Sequence, residues 1–231
     1  MIDFSQIRAA SRLTHAISVF EQLAQSDQLT PTPLCEIMNR NGSDKGTGRH
    51  NYTLLYDFLF GLAVPGIRRV FELGLGSNNP AFPFHMTNGM PGASLRGWAE
   101  YFPQAEIFGA DIDREVLFTE RRIQTFGVDQ FDRKEAREMF AMLGGDFDLI
   151  LDDGCHVFAA NTTFLETAFR QLRPGGLYII EDINLDPDNI ATWKQFLAGF
   201  REASVLLELD HPWNSDDNAV VILQNQDSRP A

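Results

Sequence analysis

Short apolar runs alternate with helix-patterned segments along this chain, and this alternation restricts its fold more than any other feature. Several of the runs are continuously apolar, which is typical of parallel strands buried on both faces. An alternating order of strands and helices predicts a doubly wound, mostly parallel α/β sheet of seven strands. The candidate strands are 68–73, 105–111, 123–128, 147–152, 176–181, 204–210 and 218–224.

The first sixty residues predict helices instead of strands. Apolar residues recur at helical spacing from Leu13 to Leu23, which predicts an N-terminal amphipathic helix. A polar, glycine-bearing stretch at 39–51 predicts a loop. We therefore expect residues 1–60 to form a helical extension, with a loop that covers the site, and residues 61–231 to form the sheet domain.

The charge balance restricts the partners. The chain has 231 residues, with 19 Lys and Arg against 32 Asp and Glu, a net charge of −13. This excess of acids argues against binding to nucleic acid or to an anionic membrane surface. The sequence shows neither a long apolar run nor a signal peptide, and it has two cysteines, so we predict a soluble, cytoplasmic protein.

Two acidic clusters follow two predicted strands. Asp152 and Asp153 end one strand, His156 lies three residues beyond, and Glu181 and Asp182 end the next. Ligands of open α/β sheets bind at the carboxyl ends of strands, and carboxylates crowded there indicate a cation beside a base. The simpler alternative is that these acids only cap the helices that follow.

A glycine turn and further polar residues end the preceding strands. Glycines in such a turn let a ligand approach the backbone closely, but the third glycine of a dinucleotide-binding fingerprint is missing. An acid after the second strand is suited to ribose hydroxyls, and polar residues after the third are suited to an adenine edge. These candidate cofactor-binding residues are Glu72, Gly74, Gly76, Asp111, Ile112, Asp129 and Gln130.

The ordered motifs resemble those of class I S-adenosylmethionine-dependent methyltransferases. The turn at 72–76 resembles the first motif of that superfamily, and residues 109–111 its second. Four further matches, at 43–52, 91–98, 152–156 and 180–182, resemble the metal-dependent sugar O-methyltransferases of the mycinamicin and macrocin type. This resemblance covers about residues 43–185.

The resemblance implies a Rossmann-like methyltransferase fold, S-adenosylmethionine as methyl donor, and Mg²⁺ or Mn²⁺. It implies Asp153, Glu181 and Asp182 as metal ligands, His156 as catalytic base beside Asp153, and Asp152 near the methionine end of the donor. It also implies that Ser43, Lys45 and Tyr52 contact the donor from a covering loop, and we expect the long loop 77–91 to line the acceptor pocket.

We therefore expect an O-methyltransferase that acts on a sugar hydroxyl of a small or glycosylated acceptor, and that forms a homo-oligomer. Two alternatives stay open: a metal-independent methyltransferase for an amine, phosphate or carboxylate, and a non-catalytic cofactor-binding partner subunit. One geometric condition applies to the metal site. Side chains of adjacent strand residues point to opposite faces, so Glu181 and Asp182 share an ion only if the strand ends there.

Overall fold

The computed structural model describes residues 9–200 and 203–226. Its helices are α1 (Ala9–Gln25), α2 (Pro33–Asn41), α3 (Tyr52–Phe60), α4 (Ala93–Tyr101), α5 (Arg133–Leu143), α6 (Phe158–Ala168) and α7 (Pro187–Ala198). Its strands are β1 (Arg69–Leu73), β2 (Glu106–Asp111), β3 (Thr119–Glu120), β4 (Ile123–Gly127), β5 (Phe147–Asp152), β6 (Leu172–Ile180), β7 (Ala203–Glu208) and β8 (Ala219–Gln224).

The strands form one mixed sheet in the order β3-β4-β2-β1-β5-β6-β8-β7. Strands β1, β2, β4, β5 and β6 are parallel, whereas β8 pairs antiparallel with both β6 and β7. The doubly wound, mostly parallel sheet is therefore confirmed. The strand number is eight in the described residues instead of seven, because the two-residue strand β3 is too short for a periodic signal.

Two hydrophobic cores lie on opposite faces of this sheet. Helices α1 to α4 pack on one face, against inward side chains that include Val70 and Leu149. Helices α5 to α7 pack on the other face, against the neighbouring residues Phe71 and Ile150. Because successive side chains of a strand point to opposite faces, a continuously apolar strand supplies both cores.

The N-terminal helices belong to the same packed structure as the sheet. Helix α1 packs against β7, and α2 packs against α4. The sequence did not predict α2, and its last residues, 39–41, fall in the expected loop. Thr32 caps α2 by accepting a hydrogen bond from the Cys35 amide, and Pro33 occupies the first turn, where its missing amide costs nothing.

The acidic residues at the strand ends do not cap the helices that follow. Helix α7 is capped by Asp186, whose side chain accepts from the Asp188 and Asn189 amides. Helix α6 begins after Val157, which makes no side-chain cap. The capping alternative is therefore wrong for both clusters. In the described part of the chain, none of the helices has the length and apolar character needed to cross a lipid bilayer.

Candidate active site

The carboxyl ends of the central strands meet at one edge of the sheet. In the strand register, Leu73 of β1 lies between Ala110 of β2 and Asp152 of β5, and Asp152 pairs with Ile180 of β6. The chain crosses from one side of β1 to the other between β4 and β5. Such a switch point opens a crevice where ligands of α/β sheets bind.

Gly74 allows the turn after β1 to pass close to the turn after β5. Its φ is +90°, and a Cβ there would lie 1.9 Å from the Asp153 carbonyl oxygen. Gly76, with φ +77°, is closely approached by the Met86 side chain of the long loop. Glycine is required at Gly74 both by the left-handed backbone and by this contact.

Lys45 places a buried positive charge among three carboxylates. Its side chain is 2% exposed, and its ammonium donates to Asp153 Oδ2 at 2.5 Å. The same ammonium donates to Glu181 and lies 3.5 Å from Glu72 Oε1. Lys45 therefore connects the loop before α3 to the ends of β1, β5 and β6.

Glu181 and Asp182 have different partners, although the backbone turns at the end of β6. Asp182 has a φ of +52°, outside the range of a strand. The Glu181 carboxylate points inward and also accepts from the Tyr56 hydroxyl. The Asp182 carboxylate instead lies 2.8 Å from the Tyr52 hydroxyl and 3.7 Å from His50 Nδ1.

Asp153, His156 and Asp182 form a group that fits a metal ion. One ligand atom from each lies within 4.8 Å of the other two. His156 has a φ of +54°, and its Nδ1 is buried and has no hydrogen-bond partner among the described residues. Its Nε2 lies 3.8 Å from Asp182 Oδ2, and its ring meets the edge of the Phe84 ring at 5.7 Å between centroids. A histidine in the left-handed region with an unpartnered buried nitrogen is typical of a functional site.

Burial sets the ionisation of this cluster. Burial raises the pKa of Glu72 and of Glu181, and the Lys45 ammonium opposes both shifts. Burial and the neighbouring Asp153 raise the pKa of Asp182. Although burial alone would lower it, the pKa of Lys45 is raised by Asp153, Glu181 and Glu72. The cluster therefore keeps its positive charge while several of its acids resist ionisation.

Several predicted cofactor-binding residues are already engaged within the protein. The buried Glu72 carboxylate accepts from Ser94 and Trp98. The two oxygens of Asp111 accept from the Leu75 and Asp113 amides, each at 2.8 Å. Their proposed contacts with a cofactor stay predictions.

The remaining predicted residues line the same edge. Gln130 bridges two turns by donating to Asp152 Oδ1 at 2.7 Å and accepting from the Cys155 amide at 2.9 Å. Asp129 accepts from the Phe131 amide, and Ile112 is exposed. Ser43 is half-buried and accepts from the Lys45 amide. The predicted residues therefore lie at the carboxyl edge of the sheet, and their roles stay predictions.

Tyr56 and Asn218 were not predicted as residues of this site, and His50, which lies within the motif match at 43–52, was given no role. Tyr56 lies one helical turn after Tyr52, so the spacing on α3 indicates that both hydroxyls share one face. His50 is buried and lies 3.2 Å from Asn218 Oδ1 and 3.7 Å from Asp182. No sequence signal relates His50 to Asn218, because the two are far apart along the chain.

A groove of about 520 Å³ lies apart from the acidic cluster. It is lined by residues such as Leu62 and Pro65, which precede β1 and so lie at the opposite end of that strand from Gly74. It contains none of the clustered acids and takes no part in this site.

Comparison with known proteins relates the chain to methyl transfer. The family described as "Methyltransferase domain" matches residues 88–220, more than half of the chain. The 8-demethyl-8-(2-methoxy-alpha-L-rhamnosyl)-tetracenomycin-C 3'-O-methyltransferase of Streptomyces olivaceus is 35% identical over 87% of this chain and 47% of its own length. The mycinamicin VI 2''-O-methyltransferase of Micromonospora griseorubida is 35% identical over 72% of this chain and 38% of its own length. The chain thus spans less than half the length of these relatives.

Solved structures agree with this relationship. The MycE methyltransferase of the mycinamycin pathway, in complex with Mg, SAH and mycinamycin VI, superposes with a TM-score of 0.64 at 27% identity over 86% of this chain and 54% of that one. An O-methyltransferase from Bacillus cereus in complex with SAH has a TM-score of 0.54 at 14% identity, over 90% of this chain and 97% of that one. The second likeness concerns the fold alone.

Proposed function

Because this chain belongs to the methyltransferase domain family, we propose that it transfers the methyl group of S-adenosylmethionine to a sugar hydroxyl with the help of a divalent cation. The observation that carries the proposal is the convergence of Asp153, His156 and Asp182 at the carboxyl edge of the sheet, beside the Gly74 turn. The names of the relatives support a sugar hydroxyl as acceptor, since both are O-methyltransferases and one name includes a rhamnosyl group.

The donor set fits a hard divalent cation. Carboxylate oxygens from Asp153 and Asp182 suit Mg²⁺ or Mn²⁺, and the relative whose structure contains Mg supports this assignment. We propose Glu181 as a third ligand, although its carboxylate is now held by Lys45 and Tyr56. Bound there, the cation would lower the pKa of an acceptor hydroxyl and orient it.

His156 is proposed as the base that removes the proton of the acceptor hydroxyl. Its imidazole has a buried, unpartnered Nδ1, while its Nε2 faces Asp182 at 3.8 Å. Asp182 can hold the ring in place and favour its protonated form after proton transfer. The methyl donor is proposed to bind at the edge of the sheet that Gly74, Asp111 and Gln130 line.

One observation favours the alternative without a metal. The Lys45 ammonium already lies between Asp153 and Glu181 and offsets part of their negative charge, so less charge is left for a cation to balance. In that case the site would orient the acceptor by hydrogen bonds alone. Dependence of turnover on the cation separates the two mechanisms.

The proposal is tested first by binding. Calorimetric titration with S-adenosylhomocysteine should show binding to the wild-type chain, and its absence would refute the methyltransferase assignment. With a glycosylated acceptor, turnover should stop in EDTA and return when Mg²⁺ is added in excess. Unchanged turnover in EDTA would be consistent with a methyltransferase but would refute the role of the cation.

The base is tested by His156→Ala. Turnover should fall by about 100-fold or more, the usual contribution of a general base, with little change in the affinity for S-adenosylhomocysteine. His15→Ala, on α1, is the matched control and should leave turnover unchanged. Equal turnover in the two variants would exclude His156 as the base.

A further inference from the structure

Trp213 is an exposed aromatic residue that no packing requirement explains. The chain has three tryptophans, and Trp98 and Trp193 are buried in the two cores. The Trp213 side chain is 83% exposed. A tryptophan left in water forgoes the burial energy of its large ring, and its exposed indole can supply apolar contact to a ligand.

A well-anchored loop presents this ring. The loop between β7 and β8 is fixed at the Asp216 carbonyl, which accepts from the Leu185 amide at 2.8 Å. It is fixed again at the Asp210 carbonyl, which accepts from Asn51 at 2.7 Å. A pre-ordered loop loses little conformational entropy when a ligand binds.

A polar pocket of about 230 Å³ lies beside the ring. The residues that line it are Gly48, Arg49, Trp213, Asn214, Asp216 and Asp217. The carboxylates accept hydrogen bonds from hydroxyl groups, and the guanidinium and amide donate to them. An indole face supplies apolar contact to a flat ring edged by such hydroxyls.

The pocket adjoins the acidic cluster. The Tyr52 hydroxyl lies 3.1 Å from the Asp217 carbonyl oxygen and 2.8 Å from Asp182 Oδ1. His50 connects the same two regions, because its Nδ1 lies 3.2 Å from Asn214 Nδ2 and 3.7 Å from Asp182 Oδ1. A molecule in the pocket is therefore next to the proposed site of methyl transfer.

We propose that this pocket is a carbohydrate subsite in which a sugar ring of the acceptor stacks on Trp213. That the bound sugar is the acceptor rests on the proposed function, whereas sugar binding in the pocket does not. The mixed lining of carboxylates, amide and guanidinium around one aromatic face favours a polyhydroxylated ring over an apolar protein surface. Trp213 is thus a residue that determines acceptor affinity.

The three tryptophans make this subsite directly observable. Acrylamide quenches exposed indoles, so the quenched fraction of the fluorescence should report Trp213, with Trp98 and Trp193 as internal buried references. Methyl α-L-rhamnopyranoside is the probe, because a relative acts on a rhamnosyl group. Saturating probe should reduce quenching of the exposed component and leave the buried component unchanged.

Variants assign the effect to the pocket. Trp213→Ala should lose the exposed component, and the affinity for the probe, measured by calorimetry, should fall at least tenfold. Trp213→Phe should keep part of the affinity, because it retains an aromatic face. Leu62→Ala changes an exposed apolar side chain in the distant groove and should bind the probe as the wild type does.

The outcomes separate this inference from the proposed function. The subsite is refuted if the probe does not protect Trp213 from quenching and if Trp213→Ala binds the probe as tightly as the wild type. Binding of S-adenosylhomocysteine in the same experiment would leave the methyltransferase assignment standing. If the probe protects Trp213 while S-adenosylhomocysteine does not bind, the subsite stands and the methyltransferase assignment is refuted. Protection of Trp213 that depends on protein concentration and not on the probe would mean that a second copy covers the ring, and it would also refute the subsite.

Discussion

Among single residues of the site, Lys45 places a buried positive charge between several carboxylates. Its buried ammonium contacts Asp153 and Glu181 and lies 3.5 Å from Glu72. Water cannot screen charges at such positions, so each unpaired carboxylate would carry a large desolvation penalty. The position of Lys45 therefore determines whether the acids at this edge can coexist ionised.

Lys45→Met should destabilise the protein strongly. The substitution keeps the buried chain but leaves Asp153 and Glu181 without a counter-charge, which should cost about 3–5 kcal/mol in the free energy of unfolding. Denaturant titration in EDTA measures this loss. Mg²⁺ should raise the stability of the variant more than that of the wild type, since it would replace the missing positive charge.

Lys134→Met is the matched control for this change. Lys134 is an exposed lysine that pairs with Glu138 one turn along α5. Exposed pairs of this kind contribute little, so the control should unfold close to the wild type. If Lys45→Met were as stable as this control in EDTA, the buried ammonium would not compensate the cluster.

Asp152 should make stability depend on pH. Burial raises the pKa of Asp152 from 3.8 to about 6, while hydrogen bonds such as that from Tyr178 partly oppose the shift. The folded state then binds the proton more tightly than the unfolded state, so this group favours folding at low pH. Its contribution is lost as the pH rises from about 4 through about 6, by at most about 3 kcal/mol.

Asp152→Asn isolates this contribution. The amide cannot ionise, so the stability of the variant should gain relative to the wild type as the pH rises from 4 to 7. Denaturation midpoints collected at several pH values measure the difference. A constant difference across this range would mean that Asp152 does not titrate with a raised pKa.

At the scale of elements, the turn after β1 has the strictest steric requirement. Gly74 has a left-handed φ, and its missing side chain leaves room for the Asp153 carbonyl of the neighbouring turn. The turn after β5 in turn carries Asp153 and His156. A change at Gly74 therefore displaces the proposed catalytic residues even though it leaves their side chains in place.

Gly74→Ala should impair both stability and donor binding. The left-handed φ costs about 1 kcal/mol for alanine, and the overlap with the Asp153 carbonyl adds roughly 2 kcal/mol or more. Gly144→Ala is a matched control, because its φ is +74° and no atom of the described residues lies within 4 Å of the added carbon. Calorimetry with S-adenosylhomocysteine should show lost affinity for the first variant only, and equal affinity would contradict the role of this close approach.

At the scale of the whole molecule, the N-terminal helices and the sheet share a hydrophobic core. Phe20 of α1 is buried with Leu207 of β7 in the same cluster that contains Leu149 of β5. Residues 1–60 were predicted as an extension and 61–231 as the sheet domain, and this division stays a prediction. The packing favours a single cooperative unit over two independent ones.

Phe20→Ala and Phe164→Ala test this cooperativity from the two faces of the sheet. Each removes a buried aromatic ring and should cost about 3–5 kcal/mol. Fluorescence and circular dichroism should report one shared unfolding transition that both variants shift. Two separate transitions, of which Phe20→Ala moves only one, would show that the helices fold apart from the sheet.

The order of the elements, and the edge at which the polar residues gather, can be predicted from the amino-acid sequence. Apolar runs such as 149–151, within β5, are readable as a buried strand because both faces of the strand are covered by the protein. The carboxyl ends of parallel strands share one edge, so Asp152 and Glu181 could be placed together without coordinates. Local patterns of this kind depend only on neighbouring residues.

The contacts between distant segments, in contrast, become visible once the chain is folded. The sequence placed Lys45 on a polar loop, whereas folding buries its ammonium against Asp153 and Glu181, which lie more than a hundred residues away. Folding also gives the adjacent residues Glu181 and Asp182 different partners, and it brings Trp213 beside Arg49. These outcomes depend on the register and packing of the whole sheet, and local spacing contains no information about them.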